Sequence, residues 1–260
     1  VAQLRLPDGS LELVLHAPEI ASDAQPGQFV ELLYGHHFNP LIRRPFSICA
    51  VDRAAGYVTQ VYRSFGAFTS GLMQLTSGDP VSLIGPLGQP FRWDASEGIR
   101  HILVAGGFGV PPMCFLAAEM CAGSEGTDAT VINAARSASA LIGMPRLEQL
   151  PIELITITDD GSHGRQGVAP ELLAEILAGR GDTPCRVYAC GPMPMLRAVA
   201  QVSMAASVPC QVSVETSMPC GTGICWGCAV AVQDRKDAGE TRYVRACVSG
   251  PVFEAAELVW

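Results

Sequence analysis

The stretch His101-Ile-Leu-Val-Ala105-Gly106-Gly107-Phe108-Gly109-Val-Pro111-Pro112-Met113 sets the architecture of this chain. Residues 101–105 form a short apolar run of the kind that fills a strand buried on both faces. The glycines then open a tight turn, and the apolar stretch 113–120 reads as a helix. Pro112 suits a helix's first turn, where a missing N–H costs little. Strand, glycine turn and helix together give the context in which a G-x-G-x-x-P turn approaches a pyrophosphate. Gly106, Gly107 and Gly109 are thus candidate dinucleotide-binding residues, although a lone Gly-rich turn is also an ordinary loop. The usual dinucleotide fold places an acidic residue about 20 residues later to hold the ribose. This chain has Asn133-Ala-Ala-Arg136-Ser137 there, which disfavours that fold. Arg136 and Ser137 could contact ribose or phosphate instead.

Downstream, strand-like runs at 130–133, 152–156 and 186–189 alternate with helical segments such as 170–178. That alternation predicts a parallel α/β sheet. Ala189-Cys190-Gly191-Pro192-Met193 repeats the strand–turn–helix pattern. It puts Cys190 at the C-terminal end of a parallel strand, where such sheets bind ligands. Gly191 leaves room for a flat ring such as nicotinamide. The competing reading is a buried cysteine before a helix-starting proline. Asp159-Asp160-Gly161-Ser162 is a turn by composition, and Asp160 could also bind cofactor hydroxyls.

Upstream, short alternating runs at 11–15, 29–33, 58–62 and 80–84 are separated by Gly/Pro turns. They predict an antiparallel barrel. Within it, Arg43-Arg44-Pro45-Phe46-Ser47 alternates a cation, an aromatic face and a hydroxyl. A flavin dinucleotide needs those three groups, and a strand presents neighbours on opposite faces. The plain alternative is a strand with two exposed arginines. Tyr62-Arg63-Ser-Phe-Gly66-Ala-Phe68-Thr69 adds a turn whose N–H groups could face a phosphate, or simply an N-capped helix.

Four cysteines close the chain: Pro219-Cys220-Gly-Thr-Gly-Ile-Cys225-Trp-Gly-Cys228, then Cys247. C-x4-C-x2-C with a distant fourth cysteine is the plant-type pattern for a [2Fe–2S] cluster. Gly221, Gly223 and Gly227 would let the loop turn around the core. A zinc site usually takes paired C-x2-C knuckles, and only one is present. Cys49, Cys114, Cys121, Cys185 and Cys210 read as small buried hydrophobes.

The chain has 260 residues, 48% hydrophobic and 16% charged, enough for more than one domain. Its net charge of -8, without a basic run, argues against nucleic acid. No apolar run reaches bilayer-spanning length. Ten cysteines without a secretory signal point to a reducing cytoplasm. The expected order is a β-barrel over 1–97, an α/β domain over 98–208 and a cluster module over 209–260.

These motifs, with Glu215-Thr216 and Cys247-Val-Ser-Gly-Pro-Val-Phe253, resemble the electron-transfer subunits of class 1B dihydroorotate dehydrogenases. Those subunits fall in the ferredoxin-NADP reductase superfamily. The resemblance covers nearly the whole chain and keeps the motif order. It implies FAD in the barrel, NAD(H) on the α/β domain and a [2Fe–2S] cluster at the C-terminus. Arg44, Pro45, Phe46, Ser47, Val61, Tyr62, Arg63, Phe68 and Thr69 would then hold FAD. Gly106, Gly107, Gly109, Cys190 and Gly191 would face the nicotinamide dinucleotide, with Ser47 and Cys190 shaping the hydride contact. Cys220, Cys225, Cys228 and Cys247 would ligate iron. The implied partner is an FMN-containing dihydroorotate dehydrogenase catalytic subunit, in a heterotetramer of two plus two, serving pyrimidine biosynthesis. Trp226 and the tail from Pro251 to Trp260 would meet that partner or simply cover the cluster.

The chain departs from the pattern at three places. Phe46 stands where superfamily members often have Tyr. Gly66-Ala67-Phe68-Thr69 replaces a G-x-G-T phosphate turn. A lengthened hairpin around Gln233 to Gly239 separates Cys228 from Cys247. Other readings of the same residues stay open. One is a reductase subunit with another partner, of ferredoxin:NADP oxidoreductase or sulfide-dehydrogenase type. Another is a non-catalytic redox-sensing module, and a third is a zinc-stabilised binding module.

Overall fold

A computed structural model describes residues 2–35, 40–94, 98–123, 128–234 and 239–260. The N-terminal part carries β1 (Ala2–Arg5), β2 (Leu11–His16), helix α1 (Pro18–Asp23), β3 (Phe29–Tyr34), β4 (Arg44–Ser47), β5 (Ala50–Asp52), β6 (Tyr57–Tyr62), α2 (Ala67–Leu72) and β7 (Val81–Leu87). All seven strands pair antiparallel, in two sheets ordered β1-β2-β6-β5 and β4-β3-β7. Leu11, Leu13 and Leu15 project from β2 at period two and meet Leu32, Tyr62 and Leu72 in one core.

The second part holds β8 (Arg100–Gly106), α3 (Val110–Gly123), β9 (Ala129–Ala135), α4 (Met144–Leu147), β10 (Glu153–Thr158), β11 (Arg165–Gln166), α5 (Ala169–Ala178), β12 (Cys185–Cys190) and α6 (Met193–Ala205). Then come β13 (Cys210–Ser213), the hairpin β14 (Ala229–Gln233) and β15 (Thr241–Arg245), α7 (Ala246–Ser249) and β16 (Val252–Glu254). One seven-stranded sheet runs β11-β10-β9-β8-β12-β13-β16, parallel except for β16. From β8 the chain steps outward through β9 and β10, then crosses back to β12 on the other side. That reversal makes the ends of β8 and β12 a topological switch point, where a crevice opens.

Helix α3 is apolar on nearly every side because it is covered twice. Met113, Cys114 and Met120 pack on the sheet, and Phe115 enters the core made by Ile20, Val30, Ile48 and Val58 of the β-domain. Arg146 pairs with Glu12, and Arg53 with Glu119, across the same junction. Phe115 therefore fixes the two parts against each other, and its truncation to Ala would cost about 3–5 kcal/mol.

The sheet continues past the expected boundary at 208/209. β13 lies parallel to β12, and β16 closes the edge antiparallel to β13, with Ser213 opposite Val252. Both ends of the cysteine-rich segment thus belong to the α/β sheet. Its hairpin pairs Ala229 with Arg245 through Gln233 with Thr241, and the tip at 235–238 lies outside the described residues. The apolar tail is largely core: Val252, Phe253, Ala255 and Leu258 are buried. Trp260 is partly buried against that core and donates its indole N–H to Ala255 O at 3.0 Å. Cys121 is only partly buried, unlike the other four cysteines expected as core.

Candidate redox site

A cleft of about 540 Å³ opens along β4, β6 and the start of α2. Strand β4 lies at the sheet's edge, so Arg44, Pro45 and Ser47 face outward into the cleft while Ile48 turns into the core. Tyr62 and Phe46 meet edge to face at 6.1 Å, and the Arg44 guanidinium sits 5.6 Å from the Phe68 ring centre. Every predicted flavin residue, from Arg44 to Ser47, Val61 to Arg63, and Phe68 with Thr69, lines this cleft. Arg63 has a second task, donating to Asp8 O within the β-domain and to Ser139 O across the domain junction. Thr69 is the third residue of α2 rather than its cap. Its hydroxyl accepts the N–H groups of Phe65 and Gly66 at 3.1 and 3.2 Å.

At the switch point, β8 ends in Gly106 and a single tight turn, Gly107–Gly109, leads into α3. Gly107 takes φ +53° with open space where a side chain would stand. Gly109 is glycine for packing: a Cβ there would lie 2.0 Å from Cys190 O. Gly191 is likewise pressed on Gly106, since a Cβ on Gly191 would lie 2.9 Å from Gly106 O. The two glycine turns therefore interlock and leave the open face at Gly107. A second, smaller cleft of about 160 Å³ lies between Pro45, Ser47, Phe108, Cys190, Ser213 and Glu215. Burial pushes the Cys190 thiol up to about 12, so it stays protonated and uncharged. Glu215 stands at the mouth of both clefts, and the protein packed around it holds its carboxyl above the ordinary value. Glu215 entered the sequence reading only as part of the Glu215-Thr216 motif that carries the resemblance, and Ser213 gave no signal.

Asp160 accepts from the Ser162 hydroxyl at 2.6 Å and its N–H at 2.9 Å, which holds the carboxylate below its usual range. Ser162 in turn accepts from Ala138 N at 2.7 Å. This ties the 159–162 turn to the end of β9 beside Arg136 and Ser137, where the sequence placed a ribose.

The cysteine loop turns at Gly221 (φ +64°), Gly223 (φ +85°) and Trp226 (φ +59°). Trp226, not the expected Gly227, thus takes the third left-handed turn. Gly227 is glycine because a Cβ would press on Pro219 at 2.9 Å. Arg245 holds the strained tryptophan, stacking 4.7 Å from its ring centre and donating to Gly223 O at 2.6 Å. N–H groups of Cys225, Thr222 and Ile224 point at the Cys220 thiol and pull it down to about 6. Cys228 and Cys247 are buried with their sulfurs 3.3 Å apart. Burial and the Cys228 thiol push Cys247 up to about 12. Among the described residues no three His, Cys, Asp or Glu side chains converge on one ion. A two-iron core asks for only two thiolates at each iron, which suits a paired arrangement and N–H groups aimed at sulfur.

Beneath this loop lies Glu31, fully buried on β3. Its Cγ would stand 2.5 Å from a Cβ on Gly221, and neither carboxylate oxygen has a partner among the described residues. Burial first, and Cys220 second, raise its carboxyl to about 7. The only sequence signal was one acid in an otherwise apolar strand.

A flavin-type cleft, a switch-point crevice and a four-cysteine loop on one chain define a reductase of the ferredoxin-reductase fold with an iron–sulfur region. Comparison with known proteins agrees. Residues 215–259 match the iron–sulfur cluster binding domain of dihydroorotate dehydrogenase B, and residues 103–201 match the oxidoreductase NAD-binding domain. The dihydroorotate dehydrogenase B (NAD(+)) electron transfer subunit of Desulforamulus reducens is 36% identical, over 94% of this chain and 90% of that one. The Bacillus caldolyticus subunit is 35% identical over 99% and 96%. The chain belongs to this family of electron transfer subunits. Its fold is similar to that of an NADH-dependent reduced ferredoxin-NADP oxidoreductase studied for flavin-based electron bifurcation (TM-score 0.83, 26% identity, 100% of this chain and 88% of that one). It is an NAD-dependent oxidoreductase subunit with an iron–sulfur cluster binding domain and an NAD-binding domain.

Proposed function

We propose that this chain carries electrons between NAD(H) and an FMN-containing dihydroorotate dehydrogenase catalytic subunit, with FAD in the larger cleft and a [2Fe–2S] cluster on Cys220, Cys225, Cys228 and Cys247. The observation that carries this reading is adjacency: the small cleft shares Pro45, Ser47, Phe108 and Glu215 with the large one. A flavin exchanges hydride with nicotinamide and single electrons with iron–sulfur centres, so it belongs between the two.

The chain's own residues position and insulate. Arg44 presents a fixed cation for the pyrophosphate, and Val61, Tyr62 and Phe46 wall the ring. Ser47 offers a hydroxyl at the wall common to both clefts. The neutral Cys190 thiol fills the floor without placing charge beside a developing nicotinamide cation. Glu215, whose carboxyl is held above its ordinary value by burial, stands at the mouth of the site. Gly107 gives the dinucleotide open backbone. Residues 1–97 serve as the flavin region, 98–208 together with β13 and β16 as the NAD region, and the segment between those two strands as the cluster region.

Exposed Ile224, Trp226 and Val248 surround the cluster loop, and a Cβ on Gly223 would touch Val248. These exposed apolar groups around the cluster loop are where the partner docks, in an assembly of two plus two. Trp and Arg, here stacked as Trp226 on Arg245, are the residue types that anchor interfaces. Among the described residues no helix is long and apolar enough to cross a membrane, and ten cysteines suit a reducing cytoplasm. The likeness to the ferredoxin-NADP oxidoreductase supports a second reading, in which the same chain serves another electron acceptor.

The test is an anaerobic NADH titration followed by visible absorbance, with and without the dihydroorotate dehydrogenase subunit. Flavin and iron–sulfur bands that NADH bleaches, and that orotate restores only when the subunit is present, are expected. Bands that NADH leaves unchanged overturn the reading. Bleaching that no addition of the subunit and orotate reverses moves it to the second.

A further inference from the structure

Phe68, the second residue of α2, stands where the G-x-G-T turn has its second glycine. A glycine there would leave bare backbone for a phosphate to approach. Here an aromatic ring lines the cleft instead.

That ring is clamped. Tyr34 meets it edge to face at 4.9 Å, and Phe46 lies tilted against it at 6.1 Å. The Tyr34 hydroxyl donates to Phe68 O at 2.8 Å, which fixes the backbone that carries the ring. Phe68 also packs against the core that holds Leu11, Leu13, Leu32 and Leu72. Its remaining side meets the Arg44 guanidinium, 5.6 Å from the ring centre. A cation–π contact reaches to about 6 Å.

Arg44 has little else to hold it. Its side chain is exposed on the edge strand, and Nη1 donates to two neighbouring carbonyls, Ile42 O at 3.2 Å and Arg43 O at 3.1 Å. Among the described residues no contact takes Nε or Nη2, and Arg44 lines the cleft. A long side chain on an exposed edge loses rotamer freedom when it binds a ligand. A rigid face to lie on removes part of that loss beforehand. The free edge of a guanidinium held in this way suits a bidentate anion such as a pyrophosphate.

We propose that Phe68 is a positioning residue: its ring pins the Arg44 guanidinium in the cleft before the pyrophosphate of FAD arrives. This rests on the proposed FAD site. Phe68 acts through Arg44, so its contribution exists only while Arg44 is present. A ring that touched the dinucleotide itself, or that merely filled space, would contribute with or without Arg44.

The experiment is a double-mutant cycle on FAD affinity. The full chain is stripped of FAD, and equilibrium dialysis reads the FAD Kd of wild type, Phe68→Leu, Arg44→Ala and the double variant. Leucine keeps apolar bulk and removes the π face. Phe68→Leu should raise the Kd about fivefold, a change of about 1 kcal/mol. In the Arg44→Ala background the same substitution should leave the Kd unchanged. Phe68→Tyr, which keeps the face, should bind FAD as wild type does. Equal weakening in both backgrounds makes Phe68 a direct contact or a space filler and overturns the proposal. No weakening in either overturns it too. If the leucine variant does not fold, Phe68→Met decides by the same criterion. Wild-type protein that takes up no FAD removes the flavin site itself, and the role of Phe68 with it.

Discussion

The cluster loop and the hydride cleft are built in opposite ways. The loop is local: three of its four cysteines lie within 220–228, and its backbone is turned by two glycines and a strained tryptophan. The cleft is distributed, drawing β4, β6, the turn after β8, and the ends of β12 and β13 to one place. A local site depends on the ligand it wraps. A distributed site depends on the fold that gathers it. Substitutions in the loop should therefore be all-or-none, and those in the cleft graded.

Cys228→Ser should break the comparison hardest. Iron content should fall from about two per chain toward zero, with the iron–sulfur absorbance lost and FAD retained. Joint loss of FAD and iron would mean that the loop also supports the cleft. Gly109→Ala comes next. Its methyl would collide with Cys190 O, costing about 3 kcal/mol or more. A lowered melting temperature with iron still bound is the expected result. Arg44→Ala should act on one ligand only, raising the FAD Kd about 10–100-fold, as loss of a charge-assisted hydrogen bond does. Equilibrium dialysis reads that directly.

Glu31→Gln tests the seam between the two regions through its pH dependence. The folded carboxyl sits at about 7, above its ordinary 4.5. A raised carboxyl favours the folded state while protonated. That contribution is full below about pH 4.5 and is lost as pH rises through 7, for roughly 3 kcal/mol in all. The melting temperature of wild type should therefore fall by several degrees between about pH 5 and 8 relative to Glu31→Gln. Parallel melting curves across that range would place the titration elsewhere.

The same contrast explains what the sequence disclosed. The cysteine spacing, the glycine turn after residue 105 and the period-two strands are local patterns, and each appears where it was expected. The place of Glu215 at the clefts and the burial of Glu31 escaped because their meaning lies in contacts between distant segments. Glu31 is an acid on a strand until Gly221 closes over it. Glu215 is a loop acid just past β13 until the ends of β12 and β4 come beside it. Gly227 and Trp226 exchanged roles because a left-handed residue is usually glycine, whereas here Arg245 stacks on the tryptophan that adopts the turn.

The pairing of Ser213 with Val252 has a practical meaning. Everything from 214 to 251 is one excursion from a sheet edge whose two stumps already lie side by side. Cutting there and joining the stumps with a two-residue hairpin turn would leave the parallel sheet and its capping strand whole. The product would keep the sheet and lose both the cluster loop and Glu215 from the mouth of the clefts. Read backwards, the same operation shows how a one-electron outlet can be added to a hydride-handling enzyme by a single insertion.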